Sequence, residues 1–319
     1  MERKTMLLIF NPKAGLELFR QNLFEVIDKF TANRFLVTAY PTHHQRDAYE
    51  AVTLMGSDFD YLVCSGGDGT LNEVVDGLMN LDVKPVFGYI PSGTTNDFAH
   101  SVGIPDDVLH AADVICNGEA RPIDVGKFQG DYFSYVAAFG LFTDVSYGTP
   151  QSMKNLLGHA AYMLEGVKRL ASIKRWHCRI DCDGEIIEGD FVFGMITNSM
   201  SIGGFRLPIE HEVKQGDGLF ELILLKQVRR LAHLQDIIGA ITGTNRASEY
   251  FIVRSARKIT VTCTEPLDWT LDGEYGGQYE QTEIHVCQNA LSLMMPIPKT
   301  AAETLEQLTG GAESNPDQA

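Results

Sequence analysis

Three glycine-bearing turns in the sequence have the residue types needed to hold phosphate. They are Asn11-Pro12-Lys13-Ala14-Gly15, Gly66-Gly67-Asp68-Gly69-Thr70 and Pro91-Ser92-Gly93-Thr94-Thr95-Asn96-Asp97. Glycine permits left-handed backbone and close approach, so amide N–H groups can be aimed at oxyanions. A helix starting just after such a turn adds the positive end of its dipole. Thr70 and Thr94 offer hydroxyls that cap helices or donate to oxygens. Asp68 is the odd member, because a carboxylate repels phosphate unless a cation lies between them. Its presence points to Mg²⁺, which binds through one or two carboxylates, waters and phosphate oxygens. Asp97 is placed to serve the same ion, directly or through water. Any one of these turns alone reads as an ordinary strand-to-helix connection. Three in matching positions, two of them carrying aspartate, read as a phosphate site.

The elements around the turns must bring them together. Apolar runs at Met6–Phe10, Phe35–Tyr40, Tyr61–Cys64 and Val86–Ile90 read as strands. Between them, Leu16, Phe19, Leu23, Val26, Ile27 and Phe30 recur at helical spacing, and helices are predicted at Arg46–Met55, Leu71–Met79 and Thr94–Val102. Alternating strands and helices imply βαβ units and a parallel sheet covered on both faces. In such sheets ligands bind beyond the carboxyl ends of the strands, which is where the three turns fall. Neither G-x-x-x-x-G-K-[ST] nor a G-x-G-x-x-G after a strand is present, so nucleotide would be held in a third way.

The pattern changes after Arg121. Gln151–Ile173 is the longest helical candidate, and the strand runs Cys178–Cys182, Ile186–Thr197, Leu219–Leu225, Lys258–Cys263 and Ile284–Val286 follow. Asp183-Gly184 between the first two strands is a hairpin signal. Consecutive strands predict an antiparallel sandwich. The expected organisation is an α/β domain over 1–122 with a linker near Gly118–Gly130, a β-sandwich domain over 123–299, and a disordered acidic tail over 300–319.

The 319-residue chain carries a formal charge of −16, with 44% hydrophobic and 21% charged residues. That is ordinary globular usage, and the acidity argues against a nucleic-acid partner. The six cysteines form no C-x-x-C pair. No segment reads as a signal core or a bilayer span, so a reduced, cytoplasmic protein is expected, with any membrane contact peripheral. A homodimer is compatible with the sequence, which does not itself give the oligomeric state.

Gly66-Gly67-Asp68-Gly69-Thr70-Leu71-Asn72-Glu73 resembles the signature of the diacylglycerol kinase catalytic domain family. Asn11-Pro12-x-x-Gly15 and Pro91-x-Gly93-Thr94-x-Asn96-Asp97-Phe98 resemble its flanking nucleotide motifs, and Asp272-Gly273-Glu274 resembles its late catalytic motif. The match runs from about Met6 to Pro296 and is most similar to the soluble bacterial members. The resemblance implies an α/β nucleotide domain and a β-sandwich, with the active site in the cleft between them. It implies ATP, Mg²⁺ and a lipid alcohol met peripherally at the inner face of the membrane. ATP contacts are implied at Asn11, Pro12, Lys13, Ala14, Gly15, Thr42, the loop Gly66, Gly67, Asp68, Gly69, Thr70, Leu71 and Asn72, and Thr94. Asp68, Asp97 and Asp124 are implied to shape a water-linked catalytic Mg²⁺ network. A structural Mg²⁺ is implied at Lys214, Asp217 and Leu219. Met195–Gly204 resembles a loop near the substrate mouth.

Taken alone, Asp272-Gly273 is a turn signal and Glu274 a solvated neighbour. With the resemblance, Glu274, Asp272 and Asp68 are the expected catalytic carboxylates: Glu274 as the base for the acceptor hydroxyl, Asp272 positioning it or the metal and standing as the second candidate for the base. The remaining candidates have plainer readings. His43-His44 reads as a polar turn, Cys178 and Cys182 as residues on one strand face, and His159 as an ordinary helix residue. The basic residues Lys168, Arg169, Lys174, Arg175, Arg229 and Arg230 read as solvated helix ends, with membrane docking the sharper alternative. Competing functions are a kinase for a sphingoid base, phosphatidylglycerol or a polyprenol, and an inactive nucleotide-binding regulator. Nicotinamide dinucleotide kinases share a related Gly-Gly-Asp-Gly turn, but the continuation here favours a lipid acceptor.

Overall fold

The computed structural model describes residues 3–15, 18–140, 174–202, 205–209, 211–227 and 249–298. The first part is the expected alternation: β1 (Lys4–Phe10), α1 (Leu18–Ala32), β2 (Phe35–Pro41), α2 (Asp47–Met55), β3 (Tyr61–Gly66), α3 (Asp68–Met79), β4 (Val86–Pro91), α4 (Asp97–Val102) and α5 (Val108–Asn117). β1 pairs in parallel with both β2 and β3, and β3 with β4. The chain therefore runs from β1 to one side of the sheet and then crosses to the other. The turns after β1 and β3 flank the switch point, where α/β sheets form a crevice. β1 is buried on both faces, which is why Met6–Phe10 reads as an unbroken apolar run, whereas β2 at the edge is largely open to solvent.

Three helices differ from expectation: α3 begins at Asp68 rather than Leu71, so its first turn takes in the glycine loop. α4 begins at Asp97 rather than Thr94, because Asn96 takes a left-handed φ of 52° and interrupts the helical path. α5 was not foreseen. Asp107 caps it by accepting from the Leu109 and His110 amides, and Val108, Ala111, Ala112 and Ile115 bury its apolar face. The cap followed by that spacing is the signal that could have found it.

The second part comprises β5 (Glu119–Phe128), β6 (Asp131–Phe133), β7 (Val136–Gly140), β8 (Trp176–Cys182), β9 (Glu185–Thr197), β10 (Ser201–Ile202), β11 (Phe205–Arg206), β12 (Phe220–Lys226), β13 (Phe251–Ala256), β14 (Lys258–Leu271) and β15 (Glu274–Met295). Long strands serve two layers of a β-sandwich. β14 pairs with β8 over Ile259–Cys263 and, after an irregularity between Thr262 and Leu267, with β7 over Trp269–Leu271. Such bulges bend a strand and let it change layer. Trp269 is fully buried between Phe128 and Phe139, with ring centroids 5.0 Å away in each case. Asp183-Gly184 forms the expected hairpin turn, with φ of 51° and 96°.

Three expectations need correction or bounding. Gly118–Gly130 is no linker: Glu119–Phe128 is β5, hydrogen-bonded along β15, so a boundary at 122/123 falls inside a strand. β15 also reaches β4 in parallel at Leu293, so one sheet continues through both parts. β8 and β14 set Cys178 directly opposite Cys263, with Cα atoms 4.3 Å apart, so these two thiols are neighbours that oxidation could join. Cys178 and Cys182 do share a buried strand face, as read. The helix expected at Gln151–Ile173, His159, Lys168, Arg169, Arg229, Arg230 and the tail over 300–319 lie outside the described residues.

Candidate active site

The carboxyl ends of β1, β3 and β4 deliver the three turns to one place. Ser92 N–H donates to Gly66 O (3.0 Å) and Asn11 N–H to Ser65 O (2.9 Å). The turns pack backbone against backbone. A Cβ on Gly93 would lie 2.5 Å from Gly67 Cα, and one on Gly15, whose φ is 40°, would strike the Ser92 carbonyl. Glycine is required here by contact as well as by φ. Asn11 closes its own turn by accepting from Lys13 N–H (2.9 Å) and reaches Thr70 Oγ1 (3.4 Å).

A cleft of about 960 Å³ opens above the turns. Its walls include Asn11, Lys13, Ala14, Gly15, Thr42, Gly67, Asp68, Gly69, Thr70, Asn72, Thr94, Asp97, Asp272 and Glu274. Three residues expected at the nucleotide sit elsewhere. Leu71 is buried in the apolar core, Gly66 is spent in the strand ladder beneath, and Pro12 does not line the cleft. The sequence signal for these was membership of a contiguous loop, which cannot tell a lining residue from its support.

The cleft is acidic. Asp68, Glu73, Asp76, Asp97, Asp131, Asp272 and Glu274 face only Lys13 and Arg46 among the Lys and Arg residues of its wall. Polyphosphate would be repelled here without a divalent cation. Asp68 supplies the fit: its Oδ2 accepts from Thr95 Oγ1 (3.3 Å), while its Oδ1 is buried without a protein partner. Burial first, then the charges of Asp97 and Asp272, push the Asp68 carboxyl up to about 6. An unpaired buried carboxylate oxygen with a raised pKa suits a cation ligand.

Asp272 and Glu274 divide their roles by environment. Asp272 opens the β14–β15 turn with φ 48°, followed by Gly273 at 88°. Its side chain is buried and fully used. Ser134 N–H donates to Oδ2 (2.6 Å), Tyr135 and Val136 N–H donate to Oδ1 (both 3.0 Å), and the Asn72 amide donates to Oδ2 (3.0 Å). Burial pushes its carboxyl up, and these donors oppose the shift. With its oxygens so occupied, Asp272 is a fastener rather than a base. Glu274, two residues on, is exposed, and its Oε1 lies 3.6 Å from where a Cβ on Gly69 would be. It overhangs the start of α3, where transferable phosphate would lie.

Two carboxylates without a role in the sequence reading hold the Thr42–Arg46 wall. Asp47 accepts from Tyr40 OH (2.8 Å) and His43 N–H (2.6 Å). Glu73 accepts from Arg46 N–H (2.7 Å) and Ala48 N–H (3.3 Å), which caps α2. Arg46 itself has φ 66°. The acid at the end of the signature could have been suspected of a structural duty, but its partner lies 27 residues away in sequence.

Asp124, Lys214, Asp217 and Leu219 do not line the cleft. Asp124 is buried, and its carboxylate accepts from Gly218 N–H (2.8 Å) and Asn289 N–H (2.7 Å), which ties it to the 214–219 loop instead of to Asp68 and Asp97. Asp217 accepts from Leu219 N–H (2.9 Å) within that loop. Beside it, the Asn198 amide nitrogen donates to Gln215 Oε1 (3.1 Å), while Asn198 Oδ1 is buried with no partner. That orphaned oxygen and the Asp217 carboxylate are the donor types Mg²⁺ takes. Asn198 is thereby tied to the loop that carries Asp217.

Residues 5–128 match the family described as diacylglycerol kinase catalytic domain, and residues 140–295 match the YegS C-terminal NAD kinase beta sandwich-like domain. A diacylglycerol kinase of Bacillus subtilis is 36% identical over 301 residues, covering 94% of this chain and 98% of its own. A diacylglycerol kinase of Staphylococcus aureus is 35% identical over 279 residues, covering 86% and 88%. The crystal structure of a diacylglycerol kinase from Bacillus anthracis superposes with a TM-score of 0.77 at 27% identity, covering 92% of this chain and 98% of the other.

Proposed function

The chain belongs to the diacylglycerol kinase family and is a lipid kinase, and from that premise we propose that it transfers the γ-phosphate of ATP to the hydroxyl of diacylglycerol, giving phosphatidic acid. The observation that carries this reading is the placing of Glu274 over the Gly67–Thr70 turn in a cleft walled by the three glycine turns. Backbone amides of the turns and the N-terminal end of α3 hold the polyphosphate, and Thr70 and Thr94 add hydroxyls. Thr42 and the turn after it take the nucleoside end of the cleft. The acceptor hydroxyl enters beside Glu274, which orients it and takes its proton as the new O–P bond forms. The bond from the γ-phosphorus to the bridging oxygen breaks, and its electron pair leaves with ADP. Asp68, with Asp97 beside it, would hold Mg²⁺, which neutralises phosphate charge when bound.

Among the described residues no helix is long and apolar enough to cross a membrane. The lipid is met peripherally in this reading, at the inner face of the membrane. Incubation with diacylglycerol vesicles, ATP and Mg²⁺ tests the proposal. Phosphatidic acid is expected, and its formation should stop when Mg²⁺ is chelated. Formation at the same rate in chelator, or with no nucleoside triphosphate present, contradicts it.

The second cation site carries a separate expectation. Asp217→Ala should lower activity and also the melting temperature, because a metal bound only by the folded chain stabilises it by mass action. Thermal unfolding of parent and variant in Mg²⁺ and in chelator checks this. The difference should be larger in Mg²⁺, and identical melting temperatures in both conditions would sink the assignment.

A further inference from the structure

Asn72 stands in the middle of the nucleotide signature, yet its side chain is committed elsewhere. The Asn72 Nδ2 lies 3.0 Å from Asp272 Oδ2 and 3.4 Å from the Tyr132 carbonyl oxygen. Both partners are pure acceptors, so the orientation of the amide is fixed and both of its N–H bonds are used. What remains is an acceptor oxygen, which cannot donate to a phosphate. The same Asp272 carboxylate gathers the N–H groups of Ser134, Tyr135 and Val136. A helix of the nucleotide half is thereby joined, through one buried carboxylate, to the turn that carries Glu274.

We propose that Asn72 is a positioning residue: it fixes the Asp272–Glu274 turn against α3, so that the base and the phosphate-holding end of the same helix are held at one separation. Helix α3 is rigid and its first turn lines the phosphate end of the cleft, so a strut from its second turn sets the reach of Glu274 to the acceptor. Losing one hydrogen bond to a buried carboxylate costs more than losing a neutral one, and misplacing a catalytic group costs rate rather than nucleotide binding. The inference rests on the kinase reading above.

Three readouts on the full-length protein test it. In Asn72→Ala, the dissociation constant of Mg·ATP should stay within about twofold of the parent, while kcat falls roughly 10- to 100-fold. A large loss of ATP affinity at unchanged kcat would overturn the proposal and return Asn72 to the nucleotide. In a Glu274→Gln background, Asn72→Ala should cost little further, because residues that act through one another are not additive. An equal cost in both backgrounds would likewise overturn it. Amide hydrogen exchange at Ser134–Val136 should quicken in Asn72→Ala, and unchanged exchange there would count against the strut. This last measurement needs no substrate, so it stands even if diacylglycerol is the wrong acceptor. Should Asn72→Ala not fold, Asn72→Ser, which is too short to span to Asp272, carries the same three measurements.

Discussion

Replacing Glu274 by glutamine should cut turnover by ~10²–10⁴-fold while Mg·ATP affinity stays close to that of the parent protein, because general-base assistance is what the change removes. Glutamine keeps the shape and the reach of the side chain but cannot take a proton. The exposed position of Glu274 makes the substitution structurally mild, since no buried partner is left unpaired. Steady-state turnover and direct nucleotide binding, measured side by side, check it. Turnover at the parent rate would place the base elsewhere. Asp272 is poorly suited to inherit the role, because three backbone amides and Asn72 already occupy its oxygens. Asp272→Ala should instead leave those amides unsatisfied in a buried place and weaken the fold along with the activity.

Asp68→Asn should behave in the opposite sense: activity and Mg²⁺ dependence collapse while the metal-free protein gains stability. The sign follows from the raised carboxyl. Burial and the neighbouring Asp97 and Asp272 push Asp68 up to about 6, so the folded chain holds the proton more tightly than the unfolded one. The stability this contributes is fully present below the ordinary carboxylate range and is lost as pH rises through about 6. At pH 7 the folded protein therefore carries a largely buried charge with one oxygen unpartnered, at a cost on the order of 2 to 3 kcal/mol. Asparagine removes that charge, so the metal-free melting temperature at pH 7 should rise. Binding of Mg²⁺ needs the ionised form. In the parent protein the Mg²⁺ requirement should thus grow as pH falls from 7 to 5, and the variant should show no such dependence. Mg²⁺ titrations across that range, with thermal unfolding in chelator, check both halves. A variant that is no more stable and keeps the parent's Mg²⁺ response would remove Asp68 from the metal.

The parallel strands and their turns were legible because each carries its own local signal. Met6–Phe10 is apolar without interruption, and Asn11-Pro12 and Gly66-Gly67 end their strands with residues that favour turns. The three turns could be predicted to share a crevice, since topology alone sends successive carboxyl ends to one edge. What local sequence does not encode is the long-range use of a carboxylate. Nothing near Asp124 says that it holds Gly218 and Asn289, and nothing near Glu73 says that it caps α2. β5 reads as a linker because Glu119 and Arg121 are charged and Pro122 lies within the run. The strand forms because β15 supplies its ladder from more than 150 residues away. Cys178 and Cys263 likewise meet only through the β8–β14 register, which spacing along the chain does not give.

In the proposed reaction this cleft phosphorylates the hydroxyl of diacylglycerol and Glu274 serves the acceptor. Mixed vesicles containing diacylglycerol, a sphingoid base, phosphatidylglycerol and a polyprenol, incubated with Mg·ATP and analysed by mass spectrometry for every phosphorylated product, test it most directly. Phosphatidic acid is expected as the dominant product with the parent protein and should nearly disappear with Glu274→Gln. Brisk ATP consumption on a soluble alcohol with none of the four lipids phosphorylated, or another lipid phosphate formed in preference, would contradict it.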